Sequence, residues 1–185
     1  VVVTTRLRQC WSAVRYLAVG AGTSLLSIFA LTLLAAVLLL CPFGVGIPSL
    51  APALRLARRP VAIDRRRAAR ELGEPIPEPY RDGSPLKDPA TRRDLAWLAI
   101  HAATGMLLGA LAVGLPLGVV QQVVTVVVWP AVPGGIEGSL GQQVNSWPMA
   151  ALTLLVGAVM AALTLLLPRA ARWQARTARR LLAPA

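Results

Sequence analysis

Histidine occurs once, cysteine twice and acidic residues eight times in the 185 residues of this chain. One imidazole and two widely spaced thiols make no zinc-ligand cluster. Cys10 and Cys41 stand before and near the far end of the first apolar run, so no disulfide framework is expected either. There is no Walker motif, no nucleophile elbow, and no pair of carboxylates inside an apolar stretch. Gly134, Gly135, Gly138 and Gly141 have the look of a phosphate loop but no Gly-Lys-Ser/Thr follows them. The chain is therefore expected to hold no catalytic residue, metal or cofactor, and not to be an enzyme in itself.

What it has in abundance is apolar length: 56% of residues are hydrophobic and 15% charged. A water-soluble fold of this size could not bury so much. All 19 Lys and Arg fall in three blocks: three in residues 6–15, eleven in 55–93 and five in 169–180. Six of the eight acids lie in the middle block with Asp94 directly after it, and Glu137 stands apart. Between the blocks lie stretches long enough for about two bilayer crossings each, at roughly 20 residues per helical crossing. Lys and Arg beside spans are retained on the cytoplasmic side, which places all three blocks inside.

The expected fold is thus all-α, a polytopic transmembrane helical bundle of about four segments in the plasma membrane, with both termini cytoplasmic. The spans are expected at about 17–40, 42–59, 97–120 and 149–167, with a cytoplasmic loop over 60–96 and an exterior loop over 121–148. Residues 1–168 form the membrane domain and 169–185 a cytoplasmic juxtamembrane helix. Indoles favour the headgroup boundary; Trp11, Trp97 and Trp173 fall beside inner boundaries and Trp129 and Trp147 beside outer ones. Basic residues that flank spans are explained by anionic lipids at about 1 kcal/mol each, so the net charge of +11 does not point to nucleic acid.

The second segment is the short one. Pro42, Gly44, Gly46 and Pro48 break the chain, and the segment reaches adequate length only by running to Arg59, with Arg55 and Arg58 snorkelling and Pro60 ending it. The alternative is a re-entrant loop of the same parity. Asp64–Leu72 then reads as a separate short basic helix closed by Gly73, and Pro75, Pro77 and Pro79 as extended chain. Asp88 caps a new helix with Pro89 at its first position.

The expected exterior loop carries polar residues at Gln121, Gln122, Glu137, Gln142, Gln143 and Asn145, which are the candidates there for contact with something outside the cell. His101 is the other candidate, as a proton sensor, against the plainer reading of a histidine bonded to a headgroup or a neighbouring helix. Gly105/Gly109 and Gly114/Gly118 have the small-xxx-small spacing of helix association. In the tail, Arg172, Arg176 and Arg179 share a face with Arg169, beside Trp173, while Ala171, Ala175, Ala178 and Leu182 line another at the spacing of a packing seam. That helix is expected either to pair with its twin in a homodimer and transmit motion, or to lie on the membrane as a basic stop-transfer helix.

Several motifs together resemble those of a family of sensor domains found chiefly in actinobacteria, often at the N-terminus of sensor histidine kinases. They are Tyr16-Leu17, Ser24-Leu25-Leu26-Ser27, Asp64-Arg65-Arg66-Arg67, Glu71-Leu72-Gly73, Pro75-Ile76-Pro77, Pro79-Tyr80-Arg81, and Asp88 through Asp94 to Trp97. Arg92 departs from the aromatic residue expected there. The resemblance implies a membrane-embedded signal-input domain of a two-component system, partnered by the lipid bilayer and by a histidine kinase output domain or another cytoplasmic signalling protein. It implies no ligand and no catalytic residue. The competing expectations are a small transporter or channel subunit and a scaffold that recruits a partner through residues 60–94.

Overall fold

In the computed structural model, residues 2–80, 84–138 and 141–184 are described, and they are overwhelmingly helical. The helices are α1 (Val2–Leu40), α2 (Gly46–Leu72), α3 (Pro89–Val128), α4 (Trp147–Thr164) and α5 (Leu167–Leu182), with two two-residue strands, β1 (Ile136–Glu137) and β2 (Gln143–Val144), between α3 and α4. Among the described residues, three stretches are long and apolar enough to cross a membrane: Arg6–Phe43, Pro89–Ala131 and Trp147–Leu182. The chain divides into two compact units, Val1–Val14 with Leu111–Pro168, and Arg15–Ala110 with Arg169–Ala185.

The second unit packs parts of α1, α2 and α3 with α5. A tight turn, in which Gly44 adopts φ 78°, reverses the chain after α1. Leu34 and Val37 of α1 then meet Ala53 and Leu54 of α2, and Tyr16 and Thr23 meet Arg67 further along, so the two helices run antiparallel. A core of Ala30, Ala57, Val61, Ala68, Trp97, Leu98, Ala175, Ala178 and Leu182 joins all four helices. Small residues set their spacing: a Cβ at Gly105 would lie 2.9 Å from Ser24 Cβ, and one at Gly109 would lie 3.0 Å from the Leu17 carbonyl oxygen. Residue numbers fall along α1 as they rise along α3, so this pair is antiparallel too. Helices that both leave the cytoplasm, as residues 17–40 and 97–120 do in the four-crossing order, would run parallel.

Three expectations about local structure change. Pro60 does not end a helix: α2 runs through Pro52 and Pro60 to Leu72 as one element. The amide that proline lacks costs one bond, and packing of Ala57 and Val61 in the core on either side of it keeps the helix continuous. Its C-terminus is where the sequence places it, at Gly73 with φ 72°, the left-handed conformation that suits a residue without a Cβ. Secondly, α2 is not among the apolar stretches long enough to cross a membrane; its charged second half belongs to the same helix as its apolar start. Thirdly, Gln121 and Gln122 and the Val-Thr-Val-Val-Val run are not loop but the last turns of α3, since β-branched side chains disfavour a helix only slightly and packing overrides them.

The start of α3 is as expected. Asp88 Oδ1 accepts the Ala90 N–H at 2.9 Å, and Pro89 opens the helix. In the first unit, Gln122 of α3 lies against Gly157 of α4, and Gly118 against Met160. Between these helices the strands pair antiparallel, Ile136 with Val144 and Glu137 with Gln143, and Trp129 and Trp147 meet edge to face with centroids 5.3 Å apart.

Candidate functional site

A polar side chain inside a helical core has to find its partners there, because water cannot supply them. Thr23, Asp64, His101 and Gln174, one from each helix of the second unit, are each no more than 6% exposed. Helical spacing assembles them. Asp64 and Arg67 are three residues apart on one face of α2, and Trp97 and His101 four apart on one face of α3.

Asp64 is the centre. Its Oδ1 accepts from Arg67 Nη1 at 2.7 Å and its Oδ2 from Trp97 Nε1 at 3.1 Å, with His101 Nε2 3.3 Å from Oδ2. Arg67 also donates to Thr23 Oγ1 at 2.7 Å and to the Tyr16 carbonyl at 2.6 Å, and its guanidinium lies 4.7 Å above the Tyr16 ring. The His101 ring stacks on Trp97 at 5.1 Å and 14°. Its Nε2 is 2.9 Å from Thr23 Oγ1, and its Nδ1 is 3.4 Å from the Gln174 amide nitrogen. One carboxylate, one guanidinium and one imidazole thus tie α1, α2, α3 and α5 together.

A second cluster fastens the chain between α2 and α3. Arg58 donates to Asp88 Oδ2 at 2.8 Å and Thr91 Oγ1 at 3.2 Å, faces Asp94 at 4.0 Å, and covers the Tyr80 ring at 4.0 Å. Arg65 donates to the Tyr80 hydroxyl at 3.1 Å. Burial pushes the Tyr80 phenol above its usual range, against the pull of Arg65.

The structure does not gather the polar residues singled out in the sequence into one place. Gln121 and Gln122 sit on α3, exposed and buried respectively; Glu137, Gln142, Gln143 and Asn145 belong to the hairpin region, where Gly138 N donates to the Gln142 carbonyl at 2.7 Å. His101 lies in the other unit, hydrogen-bonded to Thr23 of α1 and facing Gln174 of α5.

Trp97 departs from expectation. It is 1% exposed and hydrogen-bonded to Asp64, because a buried carboxylate offers its N–H a stronger acceptor than the headgroup boundary does.

On α5, Arg172, Trp173, Arg176 and Arg179 are exposed, and Arg179 pairs with Glu74. Burial raises the Glu71 carboxyl above its ordinary value, and Arg172 draws it back. The alanine seam, in contrast, is filled from within the chain. Ala171, Ala175, Ala178 and Leu182 are fully buried, the last three in the shared core. Likewise, Gly105 and Gly109 serve the α1–α3 contact within one chain.

Sequence reasoning passed over Asp64, Arg67, Thr23 and Gln174 as a site. The available signal was Gln174 itself, a polar residue amid the alanines of a packing face.

Several residues that carry the resemblance also build these clusters: Tyr16, Asp64, Arg65, Arg67, Tyr80, Asp88, Asp94 and Trp97. Comparison with known proteins agrees. Residues 16–182 match the family model described as "Putative sensor". No curated protein and no solved structure matches the chain.

Proposed function

Because the chain belongs to the Putative sensor family, we propose that it is a membrane-embedded signal-input domain whose α5 helix passes its state to an output domain, such as a histidine kinase, or to a separate cytoplasmic partner. The observation that carries this reading is the hydrogen-bonded path from α1, α2 and α3 to Gln174 on α5. Beside its alanine seam and its contacts with Glu74 and Arg93, α5 is held at this buried polar point, and a stimulus that binds the bonded arrangement better than a released one, or the reverse, shifts between them. Twinning through the alanine seam is not proposed, since that seam is already occupied.

Immunoblotting membranes of the source organism with an antibody against residues 74–88 tests the link to an output. A band well above the 19.5 kDa of this chain is expected, and its excess mass measures the output domain. A band at that size, with no protein recovered in stable association with α5, would overturn the transmitter reading.

Membrane embedding rests on the three apolar stretches, with the basic loop and tail cytoplasmic and the hairpin exterior. The natural cysteines test it. Cys10 and Cys41 stand before and after residues 17–40, a helical run about 36 Å long at ~1.5 Å per residue, more than a hydrocarbon core is thick. In sealed cells an impermeant maleimide is expected to label one of the two only; equal labelling would mean that α1 does not cross. The labelled residue also gives the direction of α1. Labelling of Cys41 fits the four-segment order with both termini cytoplasmic, and labelling of Cys10 fits an order of three.

If the stimulus is received outside, replacing residues 131–146 by a neutral linker abolishes the response and leaves insertion unchanged. Unchanged signalling would rule out an exterior sensor.

A further inference from the structure

The hydrogen bonds around His101 determine which of its nitrogens carries the proton. Thr23 uses its own hydroxyl hydrogen on the Gly20 carbonyl, at 3.1 Å. Its oxygen is therefore left as an acceptor, toward Arg67 at 2.7 Å and toward His101 Nε2 at 2.9 Å. Asp64 Oδ2, 3.3 Å from the same nitrogen, is an acceptor as well. With acceptors on that side only, the neutral ring carries its hydrogen on Nε2. Nδ1 then presents a lone pair, and what faces it at 3.4 Å is the Gln174 amide nitrogen, a donor. The other end of that amide, Oε1, is buried and has no hydrogen-bond partner among the described residues.

From this geometry we infer that His101 is a binding site for one proton from solvent, taken up at Nδ1, and that Gln174 reads its occupancy for α5. A proton on Nδ1 sets two donors face to face across the Gln174 contact. The amide relieves this by turning Oε1 to the ring, so that its unpartnered oxygen gains a bond and the contact holding α5 changes sense. The charged groups around the ring fit the step. On α2, Asp64 lies beside Nε2, and Arg67 beyond it is bound to that carboxylate. On α1, Tyr16 lies under Arg67. On α3 the neutral Trp97 covers one ring face, and on α5 the neutral Gln174 faces Nδ1. The added positive charge therefore meets one carboxylate whose own pairing with Arg67 it must share, so the bond pattern, rather than bulk charge, is what switches.

Having only one histidine makes the test direct. Protein labelled with ¹⁵N in the imidazole and with 5-fluorotryptophan, in nanodiscs, gives one ring to titrate by NMR; a Trp173→Phe variant assigns the Trp173 fluorine, and a Trp97→Phe variant assigns that of Trp97. Expected are a neutral ring with its hydrogen on Nε2, and Trp97 and Trp173 signals that move with the same midpoint as the ring. In Gln174→Met the ring and Trp97 still titrate, while Trp173 no longer follows. In Gln174→Glu, which folds around the same shape and adds a carboxylate at Nδ1, the midpoint rises by about 1–3 pH units. A ring that stays in one form between about pH 4 and 9, a hydrogen found on Nδ1 in the neutral form, or a Trp173 signal that follows pH equally well in Gln174→Met would each overturn the inference. It rests on α5 being the output helix, yet the two fail separately: a silent ring leaves the transmitter reading standing, and a native protein without an output partner leaves the titration standing.

Discussion

Asp64→Ala is expected to destabilise the unit formed by Arg15–Ala110 and Arg169–Ala185 by about 3–5 kcal/mol, the cost of breaking a buried ion pair by removing one partner. The carboxylate is 1% exposed and accepts from both Arg67 and Trp97. Truncation leaves a guanidinium and an indole N–H without that acceptor, and removes the carboxylate oxygen 3.3 Å from His101 Nε2. A guanidinium without its counter-charge cannot escape by losing its proton, as a lysine would, so the helices have to part or admit water. Asp64→Asn should be milder, because an amide oxygen still accepts one of the two bonds. Unfolding in detergent, followed by the quenching of Trp97, measures both. A loss below about 1 kcal/mol for Asp64→Ala, the range of an exposed pair, would show that the cluster is open to water and does not hold the helices together.

Gly109→Leu is expected to fail differently. The bare α-carbon of Gly109 faces Ala21, and any Cβ would lie 3.0 Å from the Leu17 carbonyl oxygen. Neither neighbour is the end of a flexible side chain, so α1 and α3 must move apart. Overpacking a fitted contact costs roughly 1–3 kcal/mol, and here it also pulls Thr23 from His101, since His101 stands eight residues from Gly109 on α3 and Thr23 two residues from Ala21 on α1. The melting temperature should fall while the oligomeric state, measured by light scattering on the detergent complex, stays as it was. The reverse result, an unaltered melting point with loss of a dimer, would return these glycines to the contact between two chains that their spacing suggests.

Helix positions were largely readable from the sequence, since uncharged stretches of bilayer length and the signals at Asp88, Pro89 and Gly73 depend on neighbouring residues alone. The misreadings came where a local signal met distant packing. Pro60 reads as a stop because of its ring and missing amide, and α2 continues because Ala57 and Val61 are held by other helices. Trp97 reads as an interfacial indole until Asp64 is known to be its partner. The cluster was hidden for the same reason: 78 positions separate Thr23 from His101 and 33 separate Asp64 from Trp97. Only the antiparallel order of the helices brings them together, and no short-range pattern states that order. The alanine seam shows the limit from the other side. Its spacing announces that the face is covered, and says nothing about whether the cover is a second chain or this one.

The fastening of α5 near its end is of another kind. Arg93 reaches the carbonyl oxygen of Ala183 at 2.9 Å, and a main-chain oxygen is supplied by whichever amino acid stands at that position. Side-chain substitutions at 183 can therefore accumulate without releasing the helix, whereas replacement of Arg93 removes the contact outright. Over evolutionary time position 183 is free to drift while the end of the helix stays moored.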